Sequence, residues 1–307
     1  MAKVYILPSN HSSALEPDVI RELGSQLRQH HRSLGIAVEV DTTEQSRKFL
    51  SNIANADNAS MERVSRNATH QSAFNELLYA LKDNAFAGSP SYPIDIDGAG
   101  ESAVVIDNYR EGLRMHAADL AEMVPIRERI GHAIGFLKCA RDYDAFRNET
   151  MLRNIKGILV EKDHDALLVA VGAVHAVYLR GELCNEGYDT RMLDGMNYGA
   201  NIVYAKTVID AEEATLALRD PSECDPESEL KIARFVAAFD FGMEVLPQVL
   251  ALHSAQEVEE FRKSRMEEYY DSYPLMRGLG AAADADRHAS APRNGPSAQQ
   301  KAANRNL

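Results

Sequence analysis

The sequence predicts an α/β fold, a three-layer arrangement with a central, mostly parallel sheet flanked by helices and a helical C-terminal third. Three observations predict it. A short β-branched and aromatic run, Val4-Tyr5-Ile6-Leu7, precedes a helical pattern and a second strand-like run, Ile36-Ala-Val-Glu-Val40. Together they make a βαβ unit, whose right-handed crossover implies a parallel pair. Ala166-Leu-Leu-Val-Ala-Val171 is the most continuous apolar run in the chain and reads as a central strand covered on both faces. The last third carries mainly helical spacing.

Taken in order, the first strand stops at Pro8-Ser9-Asn10, a loop signal. Glu16 to Leu34 reads as helix, with Val19, Ile20, Leu23, Leu27 and Leu34 near helical spacing and Gly35 closing it. Thr43 to Asn84 reads as mostly helical, most clearly over Gln71–Leu81, where Phe74, Leu77, Leu78 and Leu81 repeat at three and four. Ile94-Asp95-Ile96-Asp97-Gly98 alternates like a short strand with both aspartates on one side. Arg110–Ala140 and Asp142–Lys162 read as two helices, the second carrying a stripe of Met151, Leu152, Ile155, Ile158 and Leu159. Beyond the central strand, Ile202-Val-Tyr-Ala205 is expected as a further strand, and Ala211–Leu218, Glu227–Leu252 and Ala255–Tyr270 as helices. Residues 1–279 are thus expected to form one α/β domain with helical insertions. Residues 280–307, small and polar, are expected to be a disordered tail.

Composition narrows the function. With 33 Lys+Arg against 46 Asp+Glu, a formal charge of -13, the chain lacks the electrostatic footprint of a nucleic-acid or anionic-membrane binder. No apolar run approaches the ~20 residues of a membrane span, and the N-terminal residues do not read as a secretory signal. Three cysteines without CxxC spacing argue against a disulfide framework or zinc finger and fit a reducing, cytoplasmic setting. The GxxxxGK[ST] and GxSxG patterns are absent, and Gly98-Ala-Gly100 lacks dinucleotide-site context.

Ligands of open α/β sheets bind beyond the carboxyl ends of the strands. Those ends are polar here. Asn10-His11-Ser12-Ser13 follows the first strand, Glu39 and Asp41 lie in and after the second, Asp95 and Asp97 in the third, and Gly172-Ala-Val-His175 after the central one. Imidazole with carboxylate is the usual equipment for proton transfer or metal binding. A lone histidine at a strand end is ordinarily a hydrogen-bonded structural residue, and Glu39 on an edge strand would simply face solvent. Semi-buried between Val38 and Val40, Glu39 would instead need a partner. Gly172 allows a tight turn and close approach, which places His175 on a strand-end loop. Arg147, in the first turn of a helix, would orient carboxylates or hold an anion. His30 shares a helix face with Leu27 and Leu34 and reads as a packed histidine.

These motifs resemble those of the superfamily that joins TraB/Tiki-like proteins, erythromycin-esterase-like enzymes and haem-binding lipoproteins. That family runs an early strand into Gly-Glu-x-His or Gly-Glu-x-x-His, carries a glutamate in the second strand, starts a helix with Arg-(Asp/Asn)-x-x-Met and ends a late strand in Gly-x-x-His. The matching positions are Pro8-Ser9-Asn10-His11, Glu39, Arg147-Asn148-Glu149-Thr150-Met151 and Gly172-Ala-Val-His175, spread over residues 3–206. Pro8 and Ser9 replace the early glycine and glutamate, so one acid is missing, and Asp41, Asp95 or Asp97 would have to stand in for it. The resemblance implies hydrolysis of an ester or peptide-like bond, with catalytic His11, Glu39, His175 and Arg147. It also implies a divalent metal held, in some branches, by His11, Glu39 and His175. The expected partner is a small-molecule or peptide substrate, without nucleic acid or membrane, and an oligomer is compatible with the sequence. Two other readings stay open: a non-catalytic ligand-, metal- or haem-binding protein of the same fold, and an acidic protein-interaction module.

Overall fold

The computed structural model describes residues 2–9, 17–55, 88–97, 101–120, 125–193, 199–216 and 224–272, with positions 61, 77, 78, 81, 86 and 218. The expected tail over 280–307, the loop carrying His11 and most of Gln71–Leu81 lie outside them. The chain divides into two units, Met1–Val258 and Glu259–Leu307. The sheet and the helices that pack on it belong to the first.

The strands are β1 (Lys3–Ser9), β2 (Leu34–Asp41), β3 (Ser91–Asp95), β4 (Ala166–Gly172) and β5 (Asp189–Met192). They form one sheet in the order β3-β2-β4-β1-β5, and every neighbouring pair is parallel. The helices are α1 (Pro17–His30), α2 (Glu44–Ser51), α3 (Glu101–Leu120), α4 (Ile126–Glu161), α5 (Ala173–Asn185), α6 (Gly199–Leu216), α7 (Pro226–Phe241), α8 (Leu246–Leu250) and α9 (Ala255–Ser272). Among the described residues no helix is long and apolar enough to cross a membrane.

The expected three-layer α/β class is what forms, with β4 at its centre. All seven residues of β4 are buried, and a strand without a polar face is stable only where helices cover both sides. On one face α1 and α2 pack Ile20, Leu23, Leu27 and Leu50 against Leu7, Ile36, Val38 and Leu168. On the other, α4 and α5 pack Met151, Ile155, Ala176 and Leu179 against Ile6, Ala37, Leu167 and Val169. β4 enters between β1 and β2, so these two are parallel without being neighbours, and the expected adjacent pair is corrected.

Local differences from the sequence reading have identifiable causes. Ile202–Ala205 is helical, within α6: its buried positions Ala205, Val208, Ala211, Glu212 and Thr215 follow a helical period, and a four-residue apolar run cannot by itself distinguish the two. β5 was not foreseen because Asp189-Thr-Arg-Met192 is a polar edge strand without an apolar signature. α1 stops at His30, which is exposed rather than packed, and Leu34 and Gly35 open β2. Gly35 is needed there, since a Cβ would meet His164 Cδ2 at 2.7 Å. α4 runs unbroken through Ala140–Asp142, where neither proline nor glycine interrupts it. The expected helix Glu227–Leu252 is cut at Gly242, whose φ of +81° is left-handed and closes α7.

α4 and α7 are joined by a buried fork: Arg129 Nη1 donates to Asp240 Oδ2 and Nη2 to Oδ1, each at 2.7 Å, while Nη2 also donates to the Leu120 carbonyl. Removing the carboxylate strands a guanidinium inside the protein. Asp240→Ala should therefore destabilise the fold by about 3–5 kcal/mol, read as a lowered urea midpoint. An unchanged midpoint would show that the pair carries no structural weight.

Candidate functional site

Alternation along β2 sends Ile36 and Val38 toward α1 and α2, and Ala37 toward α4 and α5. Glu39, two residues after Ala37, shares its face and is 4% exposed. It is no outward-facing edge residue, because β2 has a neighbour on each side. On α4 the spacing of Asp144, Arg147, Asn148, Met151 and Ile155 sets them on one stripe, so the apolar contacts of Met151 and Ile155 with the sheet carry the polar residues to the carboxyl ends of the strands. Arg147 sits well inside this helix rather than in its first turn, as the sequence reading had it.

The buried Arg147 guanidinium is the hub. Its Nε donates to Asp95 Oδ1 at 3.2 Å, Nη2 to Asp95 Oδ2 at 2.7 Å and to Glu39 Oε1, and Nη1 to His175 Nε2 at 2.9 Å. The Tyr143 ring lies 5.5 Å from its Cζ. Burial works against its charge, but Asp95 and Glu39 outweigh that and hold its pKa well above the ordinary value. Glu39 Oε2 accepts the Gly172 N–H at 2.6 Å, tying β2 to the end of β4. Gly172 itself has an ordinary φ of -56°, so its contribution is this N–H rather than a tight turn.

His175 is buried in the first turn of α5, not on a loop. Its partners fix its tautomer: Nε2 accepts from Arg147, so Nδ1 carries the proton and donates to Asn148 Oδ1 at 2.7 Å. Two carboxylate oxygens flank Nε2, Glu39 Oε1 at 3.7 Å and Asp144 Oδ1 at 3.8 Å. Asp144, 23% exposed, also lies 4.0 Å from Arg147 Nη1 and is the most open of these groups.

Of the site residues expected from sequence, Glu39, Arg147 and His175 are brought together, and His11 lies outside the described residues. Among the three candidate replacement acids, Asp95 joins the cluster. Asp41 pairs with Asp95 in strand register, but its Oδ1 accepts from the Thr43 and Ser46 hydroxyls, each at 2.6 Å, at the start of α2. Asp97 lies past the end of β3 and is exposed while Asp95 is buried, so the expected shared side is corrected. Asp144 was missed, although its i,i+3 relation to Arg147 was available in the sequence.

The described cluster does not fit a divalent metal. Arg147 puts a fixed cation 2.9 Å from His175 Nε2, where a metal ligated by that nitrogen would have to sit, and Nδ1 is committed to Asn148. Among the described residues no group of three His, Cys, Asp or Glu side chains could hold a metal ion.

Glu212 on α6, also unforeseen, is buried, and its Oε1 has no hydrogen-bond partner among the described residues. Burial foremost, then the negative charge of Asp144, pushes its pKa up to about 8, so it holds a proton at neutral pH. From about pH 4.5 to pH 8 the folded state then binds more protons than the unfolded one. Stability should fall across that window by up to about 1.4 kcal/mol per pH unit and level off above it. Urea midpoints of wild type and Glu212→Gln between pH 5 and 9 check this: their difference should change through the window, and parallel profiles would refute the protonated carboxyl.

Compared with known proteins, the chain matches no family model, no curated protein and no solved structure.

Proposed function

We propose that the chain is a hydrolase of an ester or peptide-like bond, working by histidine- and carboxylate-activated water. One observation carries this reading: Glu39, Asp95, Arg147 and His175 come from four separate elements and meet in one hydrogen-bonded network at the ligand-binding edge of a parallel sheet. The resemblance to the TraB/Tiki-like and erythromycin-esterase-like superfamily supports it, since Glu39, Arg147 and His175 are its motif positions. Asp95 takes the place of the acid missing after β1. Cys139, Cys184 and Cys224 are free thiols, in keeping with a reducing compartment.

In the proposed mechanism Arg147 Nη1 transfers its donation from His175 Nε2 to Asp144 Oδ1, already 4.0 Å away. The freed Nε2 takes a proton from water as the water oxygen attacks the substrate carbonyl. The resulting imidazolium lies between Glu39 and Asp144, at 3.7 and 3.8 Å, while Asn148 keeps the ring oriented through Nδ1. The ring then returns the proton to the leaving group. Arg147 is a positioning residue in this scheme and His175 the base.

A second reading, a non-catalytic binding protein of the same fold, is favoured by one feature: both ring nitrogens of His175 are already bonded at rest. A panel of p-nitrophenyl esters and chromogenic peptides separates the two. His175→Ala should lower turnover per folded molecule by roughly 10²–10⁴, and Glu39→Gln should lower it too. Both variants remove buried hydrogen bonds and should lower the thermal midpoint, which is why turnover is normalised to the folded fraction. Full specific activity in His175→Ala would overturn the catalytic assignment.

A further inference from the structure

A second region of the molecule, a cavity, takes no part in the cluster around Arg147. A cavity of about 890 Å³ lies along the outer edge of β3, between α2 and the C-terminal half of α4. That volume is within the range of small-molecule sites. Its apolar lining is Leu50, Ile53, Leu81, Phe86 and Ile158, and three cations, Arg47, Arg153 and Lys162, face one acid, Glu161. In a chain with 46 acidic and 33 basic side chains, that local balance is reversed.

The three cations also differ from other basic residues in their pairing among the described residues. Elsewhere on the surface basic residues pair with acids one turn away, as Lys48 does with Glu44, Arg114 with Glu111 and Lys231 with Glu227. Among the described residues the side chains of Arg47, Arg153 and Lys162 have no ion-pair or hydrogen-bond partner. Three other polar side chains of the lining are already bonded: Asn154 Nδ2 donates to the Ile94 carbonyl at 2.9 Å, the Tyr92 hydroxyl is bonded to His164 Nε2 at 2.9 Å, and the Ser51 hydroxyl donates to the Lys48 carbonyl at 2.9 Å. The lining thus offers an incoming molecule a net positive charge beside apolar surface.

Two further observations define the occupant. Gly157 lies inside a 36-residue helix, where glycine is unfavourable, yet a Cβ built there would meet nothing within 4 Å, so no neighbour within the described protein demands its smallness. It opens onto the cavity. A peptide adding as a strand to this edge is disfavoured, because Pro93 offers no N–H.

We propose that this cavity binds an amphipathic organic anion, a carboxylate or phosphate head held by Arg47, Arg153 and Lys162 with its apolar body over Gly157 against Leu50, Phe86 and Ile158. Guanidinium forks match either head group, and the apolar lining selects against free inorganic ions.

The test uses the full chain with 8-anilinonaphthalene-1-sulfonate as a fluorescent reporter, displaced by decanoate, decyl phosphate or the uncharged decanol. At least one anion should displace the reporter at a concentration at least tenfold below that of decanol, and the tighter anion identifies the head group. Combined Arg47→Gln, Arg153→Gln and Lys162→Gln should erase the preference for the anion. Gly157→Leu, which favours the helix and projects a side chain into the cavity where the apolar body would lie, should weaken anion displacement at least tenfold without lowering the thermal midpoint. Equal displacement by decanol on the wild type, no displacement by either anion, or full anion binding in Gly157→Leu would overturn the proposal. Because the readout is binding, its failure is distinct from failure of the hydrolase reading.

Discussion

The buried guanidinium of Arg147 is the interaction on which the organisation of the first unit turns. An arginine cannot shed its charge inside a protein, so the surroundings must neutralise it and fill its donors. Glu39 from β2 and Asp95 from β3 supply the charge, and His175 from α5 supplies a third acceptor. One side chain therefore fixes the separation of two strands and the helix that follows a third. Such a network is weak evidence for stability in itself, because desolvation offsets most of the Coulomb attraction. Its effect is specificity: a shift of α4 by one residue would part a buried cation from the two buried carboxylates that neutralise it.

The same network explains why polar chemistry sits at this edge of the sheet and not elsewhere. β4, apolar along its length, must occupy the centre, and its carboxyl end then lies beside those of β1 and β2. Glu39 bridges that edge by accepting the Gly172 N–H. Glu39 and Asp95 together outnumber the single cation they surround, and Asp144 adds a third carboxylate from the more open side. Around His175 Nε2 lie the Arg147 guanidinium at 2.9 Å and the Glu39 and Asp144 carboxylates at 3.7 and 3.8 Å.

α4 serves two regions through two stripes. Arg147, Met151 and Ile155 face the sheet, whereas Arg153, Gly157 and Glu161 line the cavity at the edge of β3. At ~1.5 Å per residue the helix is long enough, about 54 Å, to reach from the polar edge around Arg147 to the opposite end of the strands. The two regions share a scaffold but no side chain.

The sequence by itself determined the class of fold, the central place of Ala166–Val171 and the candidacy of Glu39, Arg147 and His175, because apolar periodicity and strand-end polarity are local properties. It misread Ile202–Ala205 and passed over Asp189–Met192, since a four-residue apolar run fits either period and a polar edge strand is defined only by the partner it pairs with. The tertiary structure decided that β4 separates β1 from β2, that Asp95 rather than Asp41 or Asp97 completes the cluster, and that His175 is bonded through both nitrogens. It also decided the pairing of Arg129 with Asp240, 111 residues apart. These follow from which groups are brought together when water is excluded: a buried charge must find its counter-charge wherever packing puts one, and that distance is not written in sequence spacing.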